Sequence, residues 1–174
     1  MNTKEIETKG RKILEPYLET RVKDRRFVVT DKGLLSYELQ KTVGDAVANN
    51  QAGAVFGVEF KIEAENKHGN LFLEDWSNMN FNPRNPGWMV TLKTDYLWYY
   101  FLDSDELFIL KFPELFNWAV VDGNMYRYKR AVQRKHSQNN VTAGWCVPIS
   151  AVKVNVWCEL VYPRDELGLE IRAA

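Results

Sequence analysis

"VGDAVANNQAGAVFGVEFKIEAE", Val43 to Glu65, decides the fold. Two strand-like runs flank the polar turn "NNQAG", so the stretch predicts a strand–turn–strand unit. "TVGDAVANN" enters the turn and "AVFGVEFKIEAE" returns from it. In the returning run Val58, Phe60 and Ile62 point one way and Glu59, Lys61 and Glu63 the other, the period-2 alternation of a half-buried strand. Glu59 and Lys61 therefore share a face, about 6.6 Å apart at ~3.3 Å per residue. The short turn brings Asp45 beside Glu59 on the neighbouring strand.

That juxtaposition has a chemistry. Two carboxylates converging at a sheet edge suit a hard divalent cation, because Mg²⁺ prefers oxygen ligands and keeps several waters. Such a metal polarises a phosphodiester and acidifies a bound water. Lys61 beside it orients that water or stabilises charge developing on the phosphate. The competing reading of the same residues is a solvated strand face with ordinary charges.

Upstream, residues 3–20 predict a helix, with Ile6, Ile13 and Tyr17 on one row and Leu14 and Leu18 beside it; Pro16 should kink or restart it. Phe27 to Val29 predict a short strand, and Gly33 to Gln40 fit a strand or a helix. Downstream, "LFLED" after the polar "NKHGN" predicts a further strand and an antiparallel meander through the middle of the chain. "FNPRNPG" is a loop, and "KTDYLWYYF" predicts a helix capped by Thr94 with Tyr96, Leu97, Tyr100 and Phe101 as its apolar stripe. "LFILKF", apolar on both faces, predicts a central strand covered on both sides, and Pro113 opens a short helix, "PELFNWAV". A basic strand, "MYRYKRAVQRKH", the loop "SQNNVTAG" and the run "WCVPISAVKV" follow. Strands interleaved with helices predict an α/β domain with a mixed sheet.

Asp45 followed by "VEFK", Val58 to Lys61, resembles the PD-(D/E)XK motif of the restriction-endonuclease-like nuclease superfamily. Gly44 stands where the family name has proline, a position that is loose in the family. "GNLFLEDWSN" and "NPGWMVTLKTDYLWYYF" resemble the segment that in many phage and prophage members precedes a helix packed behind the site. "QNNVTAGWCVPIS" is similar to their closing segment. The resemblance covers roughly residues 35–155, and only the short motif is specific to chemistry. It implies a single restriction-endonuclease-like α/β domain over residues 1–174, a mixed central β-sheet flanked by helices, with residues 1–22 a helical segment packed on it. It also implies Mg²⁺-dependent hydrolysis of nucleic-acid phosphodiesters, with Mn²⁺ as substitute and DNA favoured. Asp45, Glu59 and the backbone carbonyl of Phe60 would hold the metal, and Lys61 would position or activate the attacking water. The alternative is a non-catalytic binding or assembly module that keeps the same fold.

Other residues are weaker candidates. Glu74 reads as a third carboxylate, direct or through water, or as a strand-end acid in solvent. Lys93 could meet a phosphate or be an exposed lysine, and Glu63 reads as a solvated neighbour of the site. Glu19 and Glu38 could approach the metal from preceding elements. In "RYKRAVQRKH", Arg127, Lys129, Arg130, Arg134 and Lys135 interleave with Tyr126 and Tyr128, a composition suited to phosphate contact and base stacking; a strand would set Arg130 and Arg134 on one face and Lys129 and Lys135 on the other. "KDRR", Lys23 to Arg26, is a second basic patch.

Composition removes several classes. Lysine and arginine balance aspartate and glutamate, 23 against 23, which argues against binding nucleic acid by bulk charge while leaving room for local patches. Cys146 and Cys158 match neither a zinc pattern nor a disulfide framework, so a reducing, cytoplasmic setting is expected. No run approaches ~18 apolar residues, so no membrane partner is expected. His68 and His136 have no Ser or Cys partner at triad spacing, and no phosphate-binding loop of the NTPase type occurs. Trp76, Trp88, Trp98 and Trp118 suit core or interface anchors, and a homodimer would let a small nuclease cut both strands of a duplex.

Overall fold

The computed structural model describes residues 1–27, 40, 42–80, 85–135 and 140–169. A six-stranded mixed sheet forms its centre, in the order β1 (Asp24–Phe27), β2 (Ala46–Asn49), β3 (Val55–Glu63), β6 (Tyr96–Phe101), β7 (Glu106–Lys111) and β10 (Cys158–Val161). Only β3 and β6 run parallel. The connection between them passes through a second, antiparallel sheet of β5 (Asn85–Pro86), β4 (Asn70–Asn78), β9 (Asn140–Pro148) and β8 (Lys129–Lys135). The α/β class and the mixed central sheet flanked by helices are as expected from the sequence.

One face of the central sheet is covered by α1 (Thr3–Arg21) and α5 (Pro163–Glu166). Leu14, Tyr17 and Leu18 of α1 pack there on Val58, Phe60, Trp98, Tyr100, Leu107 and Ile109. Helix α1 starts with a reciprocal cap: the Asn2 side chain accepts from the Glu5 N–H and the Glu5 carboxylate accepts from the Asn2 N–H, both at 3.0 Å. It runs unbroken through Pro16, contrary to the expected restart. Pro16 and Lys12 both lie on the exposed side, so water can serve the carbonyl that proline leaves without its helical partner. Buried Gly10 lets α1 approach β3 closely; a Cβ there would sit 2.5 Å from Ile62 Cγ2.

The opposite face carries Leu97, Tyr99, Phe101, Phe108 and Leu110. Over it lie the second sheet, α2 (Trp88–Thr91), α3 (Phe112–Phe116, continued by a π turn to Val121) and α4 (Ile149–Asn155). β7 is thus apolar on both faces for the predicted reason, and the helix opened by Pro113 is present.

Several expectations change. "YLWYYF" is strand β6 rather than a helix: Trp98 and Tyr100 enter one core layer and Leu97, Tyr99 and Phe101 the other. A six-residue run apolar at every position satisfies a helical stripe and a doubly buried strand equally, and two covered faces select the strand. Thr94 caps no helix; its hydroxyl donates to the Val43 carbonyl at 3.0 Å. β4 does not continue a meander, because β6 takes the place beside β3 and β4 pairs with β9 instead. The first strand of the hairpin is also shorter than expected, since Thr42 and Val43 are helical and β2 begins at Ala46. β1 begins three residues before the predicted strand. Residues 28–29, and all of 33–40 but Gln40, lie outside the described part.

Candidate functional site

Asp45 is set by the residue before it. Gly44 has φ +91°, and a Cβ there would meet the Val58 carbonyl oxygen at 2.5 Å. Proline, held near φ −65°, cannot take this position, which accounts for glycine in front of the aspartate. The register Ala46↔Val58 then puts Asp45 across from Glu59. The Asp45 side chain is buried, 3 % exposed. Its Oδ2 accepts the Phe60 N–H at 2.8 Å, and its Oδ1 accepts from Gln40 Nε2 at 2.8 Å and from the Arg11 guanidinium.

β3 outruns its partner. From Glu59 to Glu63 its ladder pairs are with β6, while pairing with β2 stops at Val58. The N–H and C=O of one strand residue point to the same side. The Phe60 carbonyl is therefore directed, like its N–H, toward Asp45 and past the end of β2.

Glu59 is 6 % exposed, beneath the second sheet rather than on a solvated face. The Lys61 ammonium donates to its Oε1 and lies 5.4 Å over the Trp88 ring. Burial pushes the Glu59 carboxyl above its ordinary value; the Lys61 charge opposes that rise and the Asp45 charge adds to it. For Lys61 burial acts downward, but the charges of Glu59, Asp45 and Glu74 outweigh it and hold the ammonium above its ordinary value. Lys61 is therefore a proton-bearing cation at neutral pH.

Arg11 is the residue that sequence reasoning missed. From α1 it reaches Glu7 at 3.3 Å, Glu15 at 3.2 Å and Asp45, with its Cζ 5.7 Å from the Phe60 ring centroid. Although burial acts downward, its carboxylate partners hold the guanidinium above its already high ordinary value. Glu7, Arg11 and Glu15 at four-residue spacing read in sequence as a solvated helix ladder, and no local signal points to Asp45. The same lack of signal applies to Gln40. A cleft of ≈ 230 Å³ is lined by Glu7, Arg11, Gln40, Asp45, Glu59 and Lys61, among others.

The remaining candidates divide. Glu74 is near enough for its charge to act on Lys61 but does not line the cleft. Glu63 accepts from the Tyr99 hydroxyl at 3.0 Å, and that oxygen accepts the Phe72 N–H at 3.1 Å, so Glu63 joins the two sheets instead of the site. Glu19 pairs with Arg25, and Lys93 lines a different cleft of ≈ 390 Å³ with Thr94 and Phe112. Arg127 lies in a 3₁₀ turn, Asn124–Arg127, while Lys129, Arg130 and Arg134 are on β8 with the predicted alternation of faces. Glu38, His136 and the side chain of Lys135 lie outside the described part.

Asp45, Glu59 and the Phe60 carbonyl form an all-oxygen set of the kind Mg²⁺ takes when waters complete its shell. Among the described residues no group of three or more His, Cys, Asp or Glu side chains is poised to hold a metal. A cation here therefore depends on two carboxylates, both already paired with protein cations. No family model, characterised protein or solved structure matches the chain. No helix among the described residues is long and apolar enough to cross a membrane.

Proposed function

We propose that the protein is a Mg²⁺-dependent nuclease that hydrolyses phosphodiester bonds, with DNA as its substrate. The observation that carries this reading is that buried Asp45, just ahead of β2, and buried Glu59 on β3 line one cleft, with Lys61 on the second carboxylate. Bound Mg²⁺, which Mn²⁺ can replace, would polarise the scissile phosphate and acidify water. Asp45, Glu59 and the Phe60 carbonyl would hold it.

The chain's own residues supply the rest. A lysine kept protonated cannot take a proton, so Lys61 acts as a donor that orients the attacking water and stabilises charge developing on the phosphate. Arg11 offers a planar fork suited to a phosphodiester, and turning toward one would release the Asp45 oxygen it now covers. A second reading, a non-catalytic binding module, is favoured by one observation. Arg11 and Lys61 already neutralise both carboxylates without a metal.

Cleavage of supercoiled, linear, branched and single-stranded DNA and of RNA, with Mg²⁺ or Mn²⁺, separates the two. Metal-dependent cleavage that falls by about 10²-fold or more in Asp45→Ala and in Lys61→Ala is the expected result. No cleavage of any substrate, with no heat of metal binding in calorimetry, would overturn the nuclease reading.

A further inference from the structure

The cleft that Lys93 lines adjoins the carboxylate cleft. It measures ≈ 390 Å³, with Leu92, Phe112 and Phe116 as apolar walls and the exposed Lys93, Asp95 and Asn117 at its rim. Small-ligand sites of about 300–1,000 Å³ are built this way, apolar and aromatic with a few polar groups. Trp88 links the two clefts: its ring centroid lies 5.4 Å from the Lys61 ammonium and 6.5 Å from that of Phe112. The Thr94 hydroxyl donates to the carbonyl of Val43, two residues ahead of Asp45. Thr94 Oγ1 also stands 2.9 Å from where a Gly57 Cβ would be, so it lies on the face of β3 that Gly57 shares with Glu59. Gly57 and Glu59 are about 6.6 Å apart at ~3.3 Å per residue.

The polar groups at the rim have bonding capacity to spare. Lys93 makes no ion pair, and the Asn117 amide no hydrogen bond, among the described residues. Asp95 Oδ2 accepts the Gly57 N–H at 2.7 Å, which fixes the carboxylate and leaves its other oxygen without a partner among the same residues. The Phe112 and Phe116 rings, centroids 6.4 Å apart and tilted by 41°, give the cleft an aromatic wall. It thus offers aromatic surface to a flat ring, an amide and a carboxylate oxygen to that ring's polar edge, and a cation to an adjoining phosphate.

We propose that this second cleft receives one unpaired nucleobase of the strand whose phosphodiester lies at Glu59 and Lys61, with Lys93 on the neighbouring phosphate. The inference rests on the nuclease reading for the strand itself, and narrows the substrate to single-stranded or locally unpaired DNA. A phosphodiester held in the first cleft leaves the adjoining base within reach of the second, one two-residue step along β3. A base in a duplex can enter only by giving up its pairing and its stacking, whereas an unpaired base enters freely.

The test is binding of the full chain, in EDTA so that nothing is cut, to a fluorescent DNA single strand, its duplex and a strand of the same length without bases, with deoxynucleoside monophosphates as competitors. The intact single strand should bind about tenfold or more tighter than either of the others. Phe116→Ala, and Asn117→Ala at an exposed position, should weaken the intact strand by about tenfold and about threefold. Neither should alter binding of the baseless strand, which also shows that the variants are folded. Lys93→Ala should weaken both strands alike and shrink the salt slope by roughly 0.7. No binding of the single strand, equal binding of duplex or baseless strand, capture of free nucleotides instead of the strand, or an intact-strand affinity unchanged in Phe116→Ala and Asn117→Ala would overturn the proposal. Base-dependent binding lost in those variants, with no cleavage of any DNA in Mg²⁺, would sink the nuclease reading and leave the cleft. Cleavage of duplex DNA at unaltered KM in all three variants would do the reverse.

Discussion

The Arg11 guanidinium on α1 donates to Asp45 Oδ1 across 34 residues of sequence, while the Phe60 N–H holds the other oxygen of the same carboxylate. The proposed metal at Asp45 would have to share or displace that guanidinium, so Arg11 would bear on both the stability of the cleft and its affinity for the ion. Replacing it by methionine keeps the packing on Phe60 and removes the charge.

Arg11→Met should therefore destabilise the fold by about 1–3 kcal/mol, below the ~3–5 of breaking a fully buried pair because the Arg11 side chain keeps 23 % exposure. The same change should make Mg²⁺ raise the melting temperature more than it does in the unaltered protein, since the metal meets no competitor at Asp45. Thermal unfolding with and without Mg²⁺ decides it. A variant that loses stability and gains nothing from the metal would contradict the competition between Arg11 and a cation.

Glu59 carries a pH dependence whose sign follows from its raised value. A carboxyl with a higher pKa folded than unfolded contributes stability that is fully present below the ordinary value of 4.5, and this is lost as pH rises through the folded value. Glu59→Gln imitates the protonated form at every pH. The unaltered protein should therefore lose stability relative to Glu59→Gln as pH rises above the ordinary value of 4.5. Urea denaturation of the two proteins at stepped pH measures this, and a stability difference that does not change with pH would refute it.

Gly44 and Gly53 both have left-handed backbone, φ +91° and +85°, but only Gly44 is crowded. Gly53→Ala should show the dihedral cost alone, about 1 kcal/mol, because nothing lies within 4 Å of its added Cβ. Gly44→Ala should cost clearly more, about 2–4 kcal/mol, because its Cβ must push the Val58 carbonyl away and shift Asp45 with it. Chemical denaturation compares them, and equal losses would show that β3 yields freely at this point.

Much of the fold was legible because its signals are local. The alternation from Val58 to Glu63, the apolar row of α1, the two-faced apolar run of β7 and the turn at Asn50–Ala54 each depend on neighbours a few residues apart. β6 was misread for an equally physical reason. A short run with every position apolar has no period, and only the two layers packed on it show which backbone it adopts.

The sequence by itself determined that Asp45, Glu59 and Lys61 would share one strand–turn–strand unit, because a short turn sets the register and a strand's two-residue period sets the faces. Tertiary structure alone decided what surrounds them. It buried Glu59 under a second sheet that the chain reaches by leaving the expected meander, and it laid α1 so close that Arg11 meets Asp45. Whether a carboxylate is solvated, paired or free to take a metal depends on groups brought near in space, and spacing along the chain carries no record of them.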